Sequence, residues 1–553
     1  MKMKNSILVS SILLLSLSAQ AQSPADTTSA INRTVLVESV YNPVLASSEK
    51  RSFLPEEPQP STTRQPVTYA DEVQSDVRLT RNPLATPALA LTQDPFMPGY
   101  LRLGYGNYNH LDGMGLYRFQ AGKRDAIDLS AVLTGWNGSL PCEGLGLLAD
   151  GSERWKGYRN DLDVHAGWQH EGKTNVVTDV DFGRYGRSFI VTNPALVSDQ
   201  TSLWYGASVA LAGALADLGL HTKAGYGIRT GFHQWHNSSW FGFSMPNVEN
   251  HVSLGLDYGY RFDRYGRIEV SMDNDWLAYR NLTSFDTYYS LRLQPRWVYG
   301  GRGWTSSVGF NMDVQNTVSR SFQMSPECHF TLTPSDFIRI DLVVDGGRDL
   351  QTFRDLYALT PWWTSDGQLR KAYTYVNAHL HADARVTEGL HLGVHGGWRS
   401  MADAVFATDG VANGMKSARL VNADATVWTA GGHLTYALKD IFNAGADVTY
   451  NGWGKVEETL LAYAPQLEAK ANVRARIIEG LHAQADFRYC MRHEVMGVRK
   501  PAVADLGLTV DYAVGQHLSV YATGANLLNR TYSLYPIYPA EGIRGLAGVV
   551  LKF

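Results

Sequence analysis

From about Gly99 to its last residue the chain repeats one pattern: runs of roughly ten residues in which apolar side chains alternate with polar or small ones. A period of two is that of a strand with two unlike faces. In Leu467 to Ile477 one face carries Leu467, Ala469, Ala471, Val473, Ala475 and Ile477, and the other Glu468, Lys470, Asn472, Arg474 and Arg476. Ala504 to Tyr512, Ile338 to Asp345 and Asp161 to Gln169 repeat the division. A soluble sandwich would alternate in the same way. The connections separate the two readings. Short turns recur near Gly122-Lys123-Arg124-Asp125, Glu171 to Thr174, Asp263 to Gly266, Thr333 to Asp336, Thr387 to Gly389, Ala437 to Asp440, Glu479-Gly480 and Val514 to Gln516. Between them stand longer loops, expected over Asn137 to Asn160, Gly231 to Asn250, Gly346 to Ala372, Ser400 to Ala418 and Asn451 to Pro465. Short turns at one end and long loops at the other are the pattern of an outer-membrane barrel.

The fold expected is therefore all-β: a transmembrane antiparallel up-and-down barrel over residues 98–553, with about 22 strands. A chain of 553 residues would otherwise suggest several soluble domains of ~150 residues each. No stretch after residue 25 approaches the ~18 consecutive apolar residues of a membrane helix. The net charge of -4 is small and mixed in sign, which gives no reason to expect nucleic acid as a partner. The three cysteines, Cys142, Cys328 and Cys490, lack metal-ligand spacing and read as isolated thiols.

The barrel is preceded by two unlike segments. Lys2 and Lys4, an apolar run from Ile7 to Leu17 and Ala19-Gln20-Ala21 read as a signal peptide over 1–21. Residues 22–97 are rich in Ser, Thr, Pro, Glu and Gln, as in Pro55-Glu56-Glu57-Pro58-Gln59-Pro60. Such a composition cannot bury a core of its own, so this segment is expected to be extended and largely disordered, either in the periplasm or filling the lumen. The short apolar stretch Thr34 to Val40 could form a strand or a docking segment.

The chain's end carries a family resemblance. Gly524-Ala525-Asn526-Leu527-Leu528-Asn529-Arg530-Thr531-Tyr532, then Tyr535-Pro536, then a last strand ending in Phe553, resembles the C-terminus of TonB-dependent receptors. The loop Tyr538 to Arg544 is close to that family's proline-glycine-arginine without matching it. The family carries a folded plug before its barrel, considerably longer than the whole segment present here. The resemblance thus implies a receptor-like barrel without the plug, and Thr34 to Val37 resembles the short box that binds TonB only loosely. A terminal aromatic on an alternating strand also resembles the signal read by the barrel assembly machinery, which Val549, Leu551 and Phe553 would supply on one face.

Candidate sites are few. His379 and His381 share a face of one strand and His391 and His395 a face of the next, with His381 across from His395. Imidazoles so placed could hold a divalent metal, although lumen positions are polar by default. Trp235, His236, Trp240 and Phe241 in one outer loop and Trp362 and Trp363 in another could bind a ligand or protein partner, or pack loop on loop. The lumen face carries Asp163, Asp179, Asp181, Asp341, Glu468, Lys470, Arg474, Arg476, Asp486 and Arg488, which neighbouring strands should pair. No catalytic constellation and no cofactor motif stands in a fitting context, so no enzyme activity is expected. The expected role is transport or reception, or scaffolding of partners at the membrane; the alternative is a passive channel or partner-gated pore for a small ligand. Expected partners are outer-membrane lipid, the assembly machinery during biogenesis and a periplasmic or surface protein. The place is the outer membrane of a Gram-negative bacterium.

Overall fold

A computed structural model describes residues 97–553 apart from 143–152, 194, 218–222, 240–244, 283–284, 318–319, 365–368, 413 and 440. The signal segment expected over 1–21, and the tether expected over 22–97 apart from its last residue, lie outside the described residues. What is described is a closed antiparallel barrel of 22 strands. Each strand pairs with its sequence neighbour, and the ring closes where Gly99–Gly106 lies antiparallel to Arg544–Lys552. No helix among the described residues is long and apolar enough to cross a membrane.

The alternating pattern maps onto the two faces of this wall. Side chains such as Val164, Trp168, Ile338, Leu342, Val473, Ile477, Leu508 and Tyr512 point outward and stand exposed. A continuous apolar exterior of this extent needs lipid around it. Outward aromatics mark the two boundaries of the apolar band. Trp276, Tyr289 and Phe322 stand near the long-loop end, and Trp297, Tyr299 and Phe553 near the other. On the strand Tyr288–Gly301 the two belts are set by Tyr289 and Tyr299. Ten residues at ~3.3 Å each, on a strand tilted by about 40°, rise about 25 Å, the height of the apolar band of an outer-membrane barrel.

The short turns fall where the alternation breaks, at one end, together with both ends of the barrel strand series. One expected loop is corrected. Ser400 to Ala418 is largely the top of a hairpin, Leu390–Ala412 with Met415–Leu438, 23 and 24 residues long. Crossing a membrane takes only ~9–11 residues, so this hairpin rises well above the upper aromatic belt. Its small residues and aspartates read as loop. The Asn413-Gly414 pair is a two-residue hairpin signal, and Gly414 has the positive φ of 83° that such a turn requires. A bulge at Ala402–Asp403, with Asp403 at φ 51°, interrupts the alternation and hid the strand.

The closing seam rests on close backbone approach and on a tyrosine that reaches across it to a buried ion pair joining the first two strands. Gly104 and Gly548 are direct partners across it. A Cβ on Gly548 would lie 2.2 Å from the carbonyl oxygen of Leu103, so only glycine lets these strands meet. Arg102 Nη2 donates to Asp112 Oδ1 at 2.7 Å, and Tyr521 Oη donates to Asp112 Oδ2 at 3.2 Å. All three side chains are buried. Asp112→Ala would strand a buried guanidinium, at a cost of about 3–5 kcal/mol. The expected outcome is a lower urea midpoint for the detergent-solubilised barrel, measured by loss of the fast-migrating folded form on unheated gels; an unchanged midpoint would remove the pair from the seam's stability.

Candidate functional site: a loop cap across the lumen

Loops at the long-loop end fold inward and meet. The segment between the strands Ile338–Arg348 and Tyr373–Arg385 holds a short helix, Phe353–Leu359, which starts with a capping box made by Thr352 and Asp355. Asp355 N–H donates to Thr352 Oγ1 at 3.3 Å, and Thr352 N–H donates to Asp355 Oδ2 at 2.9 Å. Phe353 N–H donates to Glu249 Oε1 at 2.8 Å, which pins the helix to the strand Asn247–Arg261. Tyr357 then packs on Tyr185 and Trp235, with ring centroids 4.8 and 5.5 Å away. Its hydroxyl donates to Asp161 at 2.5 Å. Beyond the helix, Trp363–Thr364 adds as a short parallel strand to Ala418–Arg419. This one loop therefore reaches the fourth and the sixteenth of the 22 barrel strands, nearly opposite sides of the ring.

A second loop, between Leu518–Ala525 and Arg544–Lys552, crosses as well. Tyr538 lies flat on Trp362, centroids 4.3 Å apart, and edge-on to Trp155 at 5.1 Å. Tyr538 Oη donates to the carbonyl of Lys416 at 2.8 Å and accepts from Ile190 N–H at 3.2 Å. A third crossing joins Ile190–Val191 to the tip of the tall hairpin, antiparallel to Met415–Lys416. The three meet in an apolar core of Trp136, Leu140, Trp155, Ile190, Trp362, Met415, Tyr535 and Tyr538. Burial drives this arrangement: large aromatic surfaces are removed from water, and the polar tips of Trp362 and Tyr538 find backbone partners. Burial pushes the hydroxyls of Tyr357 and Tyr538 far above the ordinary tyrosine range, so they stay protonated donors.

The C-terminal motif gains a structural meaning. Asn526, fully buried at φ 48°, is the hinge of the second loop. Its Nδ2 donates to the carbonyls of Arg530 at 3.0 Å and Glu541 at 2.9 Å, and its Oδ1 accepts from Arg530 N–H at 3.0 Å. Asn526→Ala leaves buried backbone groups unpaired at about 1–3 kcal/mol. At ~1.4 kcal/mol per tenfold, hydrogen exchange of the 531–543 amides should quicken about 10- to 100-fold while the wall amides stay protected; uniform slow exchange would contradict the hinge.

Beneath the cap lies a cavity of about 200 Å³ between the loops and the inner faces of the strands from Tyr373 to Gly454. Leu356, Phe406, Trp453, Leu534 and Tyr535 form much of its lining, with His379 and Arg399 among the polar groups. The lining is apolar with a few convergent polar groups, the usual make-up of a small-ligand seat.

The sequence-predicted residues fall into four groups. Trp362 and Trp363 are 2% and 4% exposed, so they are cap core and not exposed binding aromatics. Trp235 is also buried and lies on the strand Lys223–Asn237 instead of in a loop, with His236 beside it half-buried. Trp240 and Phe241 lie outside the described residues. His381 stands directly across from His395, rings 5.7 Å apart, and His379 lies 6.3 Å from His381. His391, paired with Arg385, sits apart near the short-turn end. Val549 and Leu551 face outward with Phe553, whose ring stacks near Tyr117 at 6.2 Å. His165 pairs across strands with Asp181 at 2.9 Å, as expected of lumen charges, whereas Arg339 and Asp341 pair along one strand at 2.6 Å. Sequence reasoning missed Tyr357, Tyr535, Tyr538 and Met415. Their partners lie across the lumen, which no local pattern records.

No family model and no curated protein matches the chain. Solved structures do. The FrpB iron transporter from Neisseria meningitidis superposes with a TM-score of 0.60 at 12% identity, over 84% of this chain and 82% of its own. A ferric enterobactin receptor, PfeA, from Pseudomonas aeruginosa gives 0.62 at 11%, over 82% and 81%. The siderophore receptor PirA from Acinetobacter baumannii gives 0.62 at 10%, over 82% and 80%. At this identity the likeness speaks for architecture, and it agrees with the strand count and the C-terminal motif: the fold of this chain is the 22-strand barrel of TonB-dependent receptors.

Proposed function

We propose that this chain is a receptor-like transport barrel of the outer membrane of a Gram-negative bacterium, working without a plug domain and gated by its own loops. The observation that carries the reading is the cap. Loops from several points of the ring meet over the lumen in two aromatic cores. A barrel of 22 strands with an open bore would admit small solutes freely. Folding loops across the bore restores a barrier. The cavity below gives a ligand a place to rest once the loops part.

Opening costs the burial of the cap core, so it needs a ligand or partner that prefers the open state. The relatives in fold are an iron transporter and siderophore receptors, which supports uptake of a small ligand as the class of activity. Scaffolding of a surface partner is the second reading. It is favoured by the tall hairpin, whose upper part stands above the membrane. Pull-down from native membranes separates the two. A stable stoichiometric partner supports scaffolding. Its absence, together with ligand-dependent conductance of the purified barrel, supports transport.

A further inference from the structure

Below the cap cavity, on the inner face of three adjacent strands, lie His395, His433 and Asp447. One ligand atom from each falls within 4.8 Å of the others. The strands bring them together by register: His433 stands opposite Asp447 on one side and Gly393 on the other, and His395 stands opposite Gly431. The outward neighbours Val394, Leu434 and Val448 are exposed to lipid, which places these three on the lumen side.

Two glycines make room for the rings. A Cβ on Gly393 would lie 2.1 Å from Cε1 of His433, and a Cβ on Gly431 would lie 2.5 Å from Nε2 of His395. Each imidazole therefore lies flat across the neighbouring strand. Each also has a partner for one ring nitrogen. His433 Nε2 is 3.1 Å from Asp383 Oδ1, and His395 Nε2 is 3.0 Å from Thr449 Oγ1. A metal-bound imidazole needs such a partner for its other nitrogen, because it fixes the tautomer and the ring's direction. His381 stacks on His395 from the far side and continues the row toward His379 at the cavity wall.

We propose that His395, His433 and Asp447 form a binding site for a divalent transition-metal cation in the lumen wall. Two imidazoles and one carboxylate suit zinc, nickel, copper or ferrous iron and are poor ligands for magnesium or calcium. Ligand atoms on one zinc ion lie roughly 3.4 Å apart at bond lengths of ~2.1 Å. The three half-buried side chains need to close by about one ångström, which rotation toward the open lumen allows. Three protein ligands leave the remaining positions to water or to donor atoms of a solute descending from the cavity. The set differs from the four histidines that the strand pattern alone singles out. Of those four only His395 remains a ligand, with His379 and His381 alongside and His391 apart, and His433 and Asp447 enter from strands whose register only the structure supplies.

The test uses the full chain without a polyhistidine tag, stripped with chelator and held in detergent near neutral pH. Cobalt(II) is titrated while the visible d–d bands are recorded, and zinc(II) is titrated by calorimetry. The expected result is one cation per barrel with a cobalt spectrum of mixed nitrogen and oxygen ligation. His433→Ala with Asp447→Ala should weaken binding at least tenfold, and His391→Ala should leave it unchanged. Absence of a saturable equivalent in the wild type overturns the site, and so does equal affinity in the double variant. Should that variant not fold, zinc(II) protection of His395 and His433 from diethylpyrocarbonate, read by mass spectrometry on the wild type, decides instead: protection supports the site, and equal labelling with and without zinc overturns it.

Discussion

Trp362→Ala should release the cap while leaving the barrel wall intact. The indole is 2% exposed. It stacks on Tyr538, meets Trp155 and Tyr535 edge-on at 5.9 and 5.5 Å, and donates from Nε1 to the carbonyl of Ser188 at 2.7 Å. Truncating a buried tryptophan costs about 3–5 kcal/mol through lost burial and the cavity left behind. The wall does not share that loss, because its strand ladders run past the cap. The loss therefore falls on the local equilibrium between closed and open loops, which should shift by about a hundred- to several-thousand-fold at ~1.4 kcal/mol per tenfold. Trypsin reads it directly. Lys371, at the end of the loop, is held by Tyr279 Oη at 2.9 Å and the Gln351 carbonyl at 3.3 Å. Burial holds its ammonium below the ordinary lysine range, and the two hydrogen bonds keep the side chain out of a protease's specificity pocket while the cap stands. Cleavage after Lys371 should accelerate steeply in the variant with the folded barrel still running fast on unheated gels. Equal cleavage rates would mean that Trp362 does not hold the cap.

Locking the cap should have the opposite effect. Val191 and Met415 face one another in an antiparallel pair that joins two distant parts of the ring. Such partners have Cα separations within the range a disulfide spans. In a background where Cys142, Cys328 and Cys490 are serine, Val191→Cys with Met415→Cys should form a covalent strap over the lumen. Oxidised, the barrel should lose ligand uptake and any conductance bursts, and reductant should restore both. Uptake that continues at the wild-type rate with the strap closed would place the route elsewhere.

Much of the barrel was legible because its physics is periodic. Lipid outside and water inside force alternation on every crossing strand, so Leu467 to Ile477 or Ala504 to Tyr512 declare their faces without any tertiary knowledge. Turn residues at the short end work in the same local way. The cap was not legible, for two reasons. Trp362, Trp363 and Tyr538 lie in loops without a period, where an aromatic reads equally as a binding residue or as core. Their partners are also hundreds of residues away: Tyr538 bonds at Ile190, and Tyr357 at Asp161. The tall hairpin was hidden by a bulge that shifts the alternation by one step. The histidines were half-read, because the pairing of His381 with His395 follows from one tight turn. The approach of His433 and Asp447 depends on where two further strands settle in register.

If the cap made by the chain's own loops closes the barrel, removing it should open the bore. Planar-bilayer recording on the purified full chain tests it most directly, comparing the wild type with a variant in which residues 351–370 are replaced by a short glycine-serine linker. The expected result is a silent or briefly flickering wild type and a steady, wide-pore conductance once the loop is gone. A wild type that conducts steadily as a wide pore, or a loop-deleted barrel that stays as silent as the wild type, would contradict it.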